Sequence, residues 1–215
     1  MPDAVIFDLD GVIIDSEVVW NEARRGIAES RGGHWRDDAQ RAMMGMSSVE
    51  WSRYMHDVLG VPDPPEEIDA EVVRRMLERY ETELPLIDGA VEAVRRLAER
   101  WPLGLASSSN RPIIERALEV SGLAPSFRAT VSSEEVARGK PAPDVYLEAA
   151  RRLAVAPEGC AAIEDSGNGI RSGAAAGMRV VAIPNRLFPP PPDALALAVV
   201  VLDSLDELTP DVVAG

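Results

Sequence analysis

Asp8-Leu9-Asp10-Gly11 sets two carboxylates one residue apart, directly after an apolar run, Ala4-Val5-Ile6-Phe7, that reads as a short buried strand. Side chains alternate along a strand, so Asp8 and Asp10 share one side if the extended chain continues. Like charges this close raise one another's pKa or call for a metal. The pair suits chemistry on an anionic substrate, with one carboxylate ionised as a nucleophile and its neighbour carrying a proton.

Two further strand-like runs also end in polar groups. Leu103-Gly104-Leu105-Ala106 leads into Ser107, and Ala161-Ala162-Ile163 leads into Glu164-Asp165. Taken singly, Ser107 suits a turn or a cap, and Asp165-Ser166 suits the cap of a helix opening at Gly167. Lys140 is singular: among 22 Lys plus Arg it is the only lysine, set in Arg138-Gly139-Lys140-Pro141-Ala142-Pro143-Asp144. A compact ammonium serves as a point charge beside a phosphate where a guanidinium fork is bulkier.

Elements of two kinds must position these residues. After Asp15 the apolar spacing is helical. Val19, Ala23 and Ile27 recur every fourth residue, a short segment covers Ala39 to Met43, and Ser47-Ser48-Val49-Glu50 has capping-box spacing. Pro64-Pro65 opens a helix with Ile68, Val72, Met76 and Tyr80 along one stripe, closed by Pro85. From Asp88 the rhythm changes to helices alternating with short apolar strands, among them Ala129-Thr130-Val131, Val180-Val181-Ala182-Ile183 and Val199-Val200-Val201. That alternation predicts an α/β fold, a doubly wound parallel sheet with helices on both faces. Residues 1–15 and 87–215 are assigned to this core, and residues 16–86 to a small all-helical domain inserted after the first strand. Pro189 to Pro192 reads as a stiff extended connection without chemistry. In open parallel sheets ligands sit beyond the carboxyl ends of the strands, so Asp8, Ser107 and Glu164-Asp165 are expected to meet in one crevice.

Composition narrows the partners. A formal net charge of -14 disfavours nucleic acid and anionic membranes. A phosphorylated substrate must then be drawn by local cations, either a metal or a placed basic residue. No apolar run has the length of a membrane span, and the N-terminus lacks a secretory pattern. Cys160, the single cysteine, lies in an apolar run and reads as a buried structural thiol. Together these features suggest a cytoplasmic protein; nothing in the sequence sets an oligomeric state.

With these residues in place, the chain resembles the haloacid dehalogenase superfamily, in particular its phosphatases with a helical cap after the first strand. The resemblance rests on Phe7 to Glu17, Ala106-Ser107-Ser108-Ser109-Asn110, Gly139-Lys140-Pro141-Ala142-Pro143-Asp144 and Glu164-Asp165-Ser166, in family order. It implies that Asp8 attacks phosphorus to form an aspartyl-phosphate. Asp10 would protonate the leaving alcohol and then deprotonate the hydrolytic water. Ser107 and Ser108, with nearby backbone N–H groups, would hold phosphoryl oxygens, and Lys140 would offset their charge. Magnesium would be held by Asp8, the backbone carbonyl of Asp10 and Asp165, with Glu164 acting through water. The implied substrate is a small phosphorylated metabolite of the sugar or polyol kind.

Relatives with other chemistries fit less well. Dehalogenases lack the second aspartate, and phosphonatases need a cap lysine that residues 16–86 do not contain. β-Phosphoglucomutases share the core motifs but carry histidine where this chain has Trp20, and arginine where it has Ser48. A phospho-ligand sensor without catalysis is the remaining alternative, and retention of both Asp8 and Asp10 speaks against it. His34 and His56 lack metal-ligand spacing and read as surface residues. Met43, Met44 and Met46 read as core filling or as an adaptable wall near Gly45. Trp20 and Arg24, one helical turn apart, are candidates to face the crevice and touch substrate.

Overall fold

The computed structural model describes residues 1–215. Six parallel strands form one sheet in the order β3-β2-β1-β4-β5-β6. They are β1 (Ala4–Phe7), β2 (Leu103–Ser107), β3 (Phe127–Ser132), β4 (Cys160–Glu164), β5 (Arg179–Ala182) and β6 (Val200–Val201). β1 is central, with Val5 aligned between Leu103 and Ala161 and Phe7 between Leu105 and Ile163. Both faces of this strand are covered, which explains its unbroken apolar sequence. Val5, Phe7, Leu103, Leu105 and Ile163 join one apolar cluster, while Ala4, Ile6, Ala106, Ala162 and Val180 join a second on the opposite face.

The sheet helices divide between those faces. α5 (Ala90–Ala98) and α6 (Arg111–Val120) pack in the first cluster, and α7 (Asp144–Leu153) and α8 (Gly167–Ala175) in the second. Chain order reverses at β1: β2 and β3 lie to one side, β4 to β6 to the other. That reversal opens a crevice at the carboxyl ends of β1 and β4. The residues leaving those strands there are Asp8 and Asp165.

Four helices occupy the stretch between β1 and α5: α1 (Glu17–Ser30), α2 (Ala39–Met43), α3 (Ser48–Asp57) and α4 (Pro65–Thr82). α3 starts with the expected reciprocal cap, Ser47 N–H donating to Glu50 at 2.8 Å. α4 begins at Pro65 and buries Ile68, Val72, Met76 and Tyr80. These side chains and Val19, Ala23 and Ile27 of α1 belong to the same apolar cluster as one face of the sheet. The segments entering and leaving the helical stretch run side by side. Asp15 N–H donates to the Pro85 carbonyl at 2.8 Å, and Ile87 N–H to that of Ile13 at 3.0 Å.

Three details differ from the sequence pattern. β3 runs from Phe127 to Ser132, longer than Ala129 to Val131, because the polar Arg128 and Thr130 sit between buried Phe127, Ala129 and Val131. The last strand is only Val200–Val201; Val199 and Val201 are exposed at the sheet edge, so apolar composition there does not report burial. Pro191 is extended as expected, but Pro192 opens a short helix, α9 (Pro192–Leu195), a position where the fixed φ of proline is favourable. A last short helix, α10 (Pro210–Ala214), closes the chain.

Candidate active site

β1 ends at Phe7, and Asp8 continues its line for one residue, its N–H donating to the Ile163 carbonyl at 3.0 Å. The Asp8 carboxylate accepts from Leu9 N–H at 2.8 Å and lies 3.0 Å from Lys140 Nζ. Lys140 is also 2.6 Å from Glu164 Oε1, and that oxygen accepts from Tyr146 Oη at 2.8 Å. The other Glu164 oxygen accepts from Asp165 N–H, Ser166 N–H and Ser166 Oγ. Glu164 is thus a fully occupied acceptor that anchors Lys140, buried with it. A solvent-free ammonium between two carboxylates is held charged: burial works against it, and Asp8 and Glu164 outweigh burial and raise its pKa.

Asp165 sits differently. Ser166, not Asp165, caps α8, its Oγ accepting from Gly169 N–H at 3.1 Å. The Asp165 carboxylate, 2% exposed, is left without a side-chain donor or ion pair. Two glycines make room for these acids. A Cβ on Gly11, whose φ is +79°, would fall 2.0 Å from Asp165 Oδ2, and one on Gly169 would fall 1.9 Å from the Glu164 carboxyl.

Asp10 lines the same crevice and is clasped by four donors. Ser16 Oγ at 2.5 Å and Trp20 Nε1 at 3.1 Å reach Oδ1. Ser109 Oγ at 2.6 Å and Ser107 Oγ at 3.3 Å reach Oδ2. Ser107, fully buried, also accepts from Ser109 N–H, so it lies beneath the crevice beside Asp10. Ser108 and Ser109 line the crevice, with Ser108 Oγ donating to the Gly45 carbonyl of the helical insertion at 3.2 Å. Ser16 and Ser109 were not singled out from the sequence. Strand alternation was the usable signal for Ser109, since it continues the side of Ser107.

The insertion supplies the opposite wall: Glu17, Trp20 and Arg24 of α1, Met43 to Met46, and Trp51. Met43 is buried, while Met44 and Met46 are half-buried, so the methionine run serves both as packing and as wall. The Trp20 indole is turned toward Asp10, and the Arg24 guanidinium lies over it at 4.4 Å and over Trp51 at 4.8 Å. Burial lowers the Arg24 pKa to about 10 against the pull of Glu17, Asp10 and Asp69. The crevice offers about 50 Å³ of free space and opens to solvent beyond it. A buried water needs roughly 10–15 Å³ on that measure, so the inner part is of phosphoryl size. Outside it, Cys160 is a buried thiol raised to about 11 by burial. His34 is exposed, but His56 is half-buried, with Nδ1 2.9 Å from the carbonyls of Val61 and Asp63.

One carboxylate oxygen each from Asp8, Glu164 and Asp165 can be chosen so that all three lie within 4.8 Å of one another. Three buried carboxylates against the single Lys140 ammonium leave two negative charges. Burial above all, with Glu164 as neighbour, raises the pKa of Asp8 and Asp165 well above the usual carboxylate range; for Asp8, Lys140 opposes this. An oxygen-only donor set with an unpartnered Asp165 fits a hard divalent cation of the magnesium type.

A doubly wound sheet with a carboxylate pair, a buried lysine and a second acidic pair at its carboxyl edge defines a hydrolase of the haloacid dehalogenase kind. The chain belongs to that family: residues 2–177 match the haloacid dehalogenase-like hydrolase model. It is 36% identical over 212 residues to hexitol phosphatase B of Escherichia coli K12, covering 96% of this chain and 94% of that one. Crystal structures with the same fold include CbbY from Rhodobacter sphaeroides in complex with phosphate, at TM-score 0.87, 25% identity and full coverage of both chains. β-Phosphoglucomutase from Clostridium difficile matches at TM-score 0.86 and 23% identity, covering 100% of this chain and 96% of that one, a likeness of fold alone. The protein is a phosphoric monoester hydrolase.

Proposed function

We propose that the chain is a magnesium-dependent, cytoplasmic phosphatase for a small sugar or polyol phosphate, working through an aspartyl-phosphate on Asp8. The observation that carries this reading is the meeting of Asp8, Asp10, Lys140 and Asp165 at one crevice. Asp8 forms a bond to phosphorus as the bond to the leaving oxygen breaks. Asp10 gives its proton to that oxygen and then takes one from the water that releases phosphate from Asp8. The four donors on Asp10 fix the position of its carboxyl in the crevice. Lys140 and the N–H groups beside Ser108 and Ser109 offset phosphoryl charge. Asp8, the Asp10 carbonyl and Asp165 would hold magnesium, with Glu164 behind Lys140 setting the charge. When bound, the ion adds positive charge where one anion must approach another.

Residues 16–86 act as a cap in this proposal. The insertion forms one wall of the crevice, so its movement away from the sheet would admit substrate and its return would cover the phosphoryl group. Trp20 and Ser48 support the phosphatase over the mutase: the indole bonds Asp10, and Ser48 Oγ lies 3.3 Å from Glu134 of the core. The test is a panel of phosphate monoesters with and without magnesium. Metal-dependent phosphate release is expected, and Asp8→Asn should lower it by ~10⁴-fold or more with circular dichroism unchanged. Hexose monophosphates interconverting without release would show a mutase instead.

A further inference from the structure

Arg24 is the one cation of the crevice without a partner. It is 5% exposed, makes no ion pair, and its Nε is buried with no acceptor. Trp20 and Trp51 hold the guanidinium by their ring faces, which fixes its plane but satisfies none of its five N–H donors. A buried, unsatisfied guanidinium is costly, and the cost is recovered only if a ligand brings acceptors. Glu17, two helical turns earlier on α1 and also lining the crevice, complements it. One of its oxygens accepts from Gln40 Nε2 at 2.5 Å, and the other takes no donor from the protein. Donor and acceptor therefore both line the insertion wall of the crevice.

We infer that Arg24 and Glu17 read hydroxyl groups of the leaving alcohol, Arg24 donating to one oxygen and Glu17 accepting from another. This deepens the phosphatase reading and rests on it. The substrate class is then a monophosphate of a neutral polyhydroxy alcohol rather than a phosphorylated carboxylic acid or a bisphosphate. Charge decides between these. Asp8, Asp10, Glu17 and Asp165 line the crevice against only Lys140 and Arg24, so a second anion would meet repulsion beside the one cation offered to it. A hydroxyl both donates and accepts, and so satisfies Arg24 and Glu17 together. The sequence spacing had marked Arg24 as a candidate contact; the absence of any protein acceptor and the pairing with Glu17 come from the fold.

The test compares kcat/KM for a hexitol phosphate, for butyl phosphate, which lacks hydroxyls, and for phosphoglycolate, in the wild type, Arg24→Met, Arg24→Lys and Glu17→Gln, with magnesium saturating. In the wild type, hexitol phosphate should exceed butyl phosphate by roughly 30-fold or more. Arg24→Met should erase most of that ratio, Arg24→Lys should restore part of it, and Glu17→Gln should lower it less. An equal fall on both esters, leaving the ratio intact, would overturn the inference. So would a preference for phosphoglycolate that Arg24→Met removes, since Arg24 would then read an anion. Binding is measured separately by tryptophan fluorescence in Asp8→Asn, with Trp20 and Trp51 as reporters. Hexitol phosphate should give a saturable change that Arg24→Met weakens tenfold or more, and no such dependence on Arg24 would overturn the inference. Binding through Arg24 without turnover of any ester by the wild type would instead overturn the phosphatase reading alone.

Discussion

The two walls of the crevice are built on opposite plans. On the sheet side, Glu164, Asp10 and Lys140 are enclosed by donors and acceptors of the protein itself, at 2.5–3.3 Å. On the insertion side, Arg24 and one oxygen of Gln40 are buried without partners. A saturated network holds its members in place before any ligand arrives, as chemistry on a fixed phosphoryl group requires. An unsaturated one is completed by what binds. On the proposed function, reaction falls to the sheet and selection to the insertion.

Removing Lys140 tests the saturated wall most severely. Lys140→Met leaves Asp8 and Glu164 as buried charges without their cation, so stability should fall by about 3–5 kcal/mol. Urea denaturation reads this, and an unchanged midpoint would show that the network does not depend on its cation. Gly11→Ala follows. Its Cβ would overlap Asp165 in a backbone conformation that favours glycine, so magnesium affinity should fall by roughly 10–100-fold, read by calorimetric titration.

The seam between the walls should respond less. Asn110 Nδ2 donates to Asp69 of α4 at 3.0 Å and to Glu134 of the core at 2.9 Å, standing between two carboxylates. Burial, only partly offset by that bond, already raises the Asp69 pKa. Asn110→Ala removes the bridge, so the insertion should close less readily, and KM should rise by roughly 3–10-fold with kcat little changed. Smallest is the outer face of the insertion. Bonds from Arg74, with burial opposing and Arg75 adding to them, hold the Glu71 pKa at about 2. A depressed carboxylate stabilises above its unfolded value near 4.5, and that contribution is lost as pH falls toward 2. Glu71→Gln should cost under about 1 kcal/mol at pH 7 and nothing at pH 2, measured by thermal melts at both.

The sheet side was far more legible in the sequence than the insertion side, for a physical reason. Strand ends in a parallel sheet all point to one edge, so Asp8, Ser107 and Glu164-Asp165 could be placed together from topology alone. Lys140 stood out by being the only lysine. Contacts that depend on side-chain direction were not readable: the turn of the Trp20 indole toward Asp10, the hydroxyl of Ser16, and Ser107 lying below the crevice instead of lining it. For Glu164 the resemblance implies a role toward the metal through water; the bonds its oxygens accept from Lys140, Tyr146 and the start of α8 depend on side-chain direction as well. The cramped approach at Gly11 and Gly169 leaves only a glycine in the sequence, and many glycines mean less.

Asp15 and Pro85 touch, although seventy residues separate them along the chain. A pivot made of two neighbouring threads swings about one line and resists sliding or twisting. In the proposed opening and closing, whatever the helices carry across the crevice would return to the same register. The same adjacency means that another helical module could be spliced at this doorway, giving the catalytic edge a new clientele without redrawing the sheet.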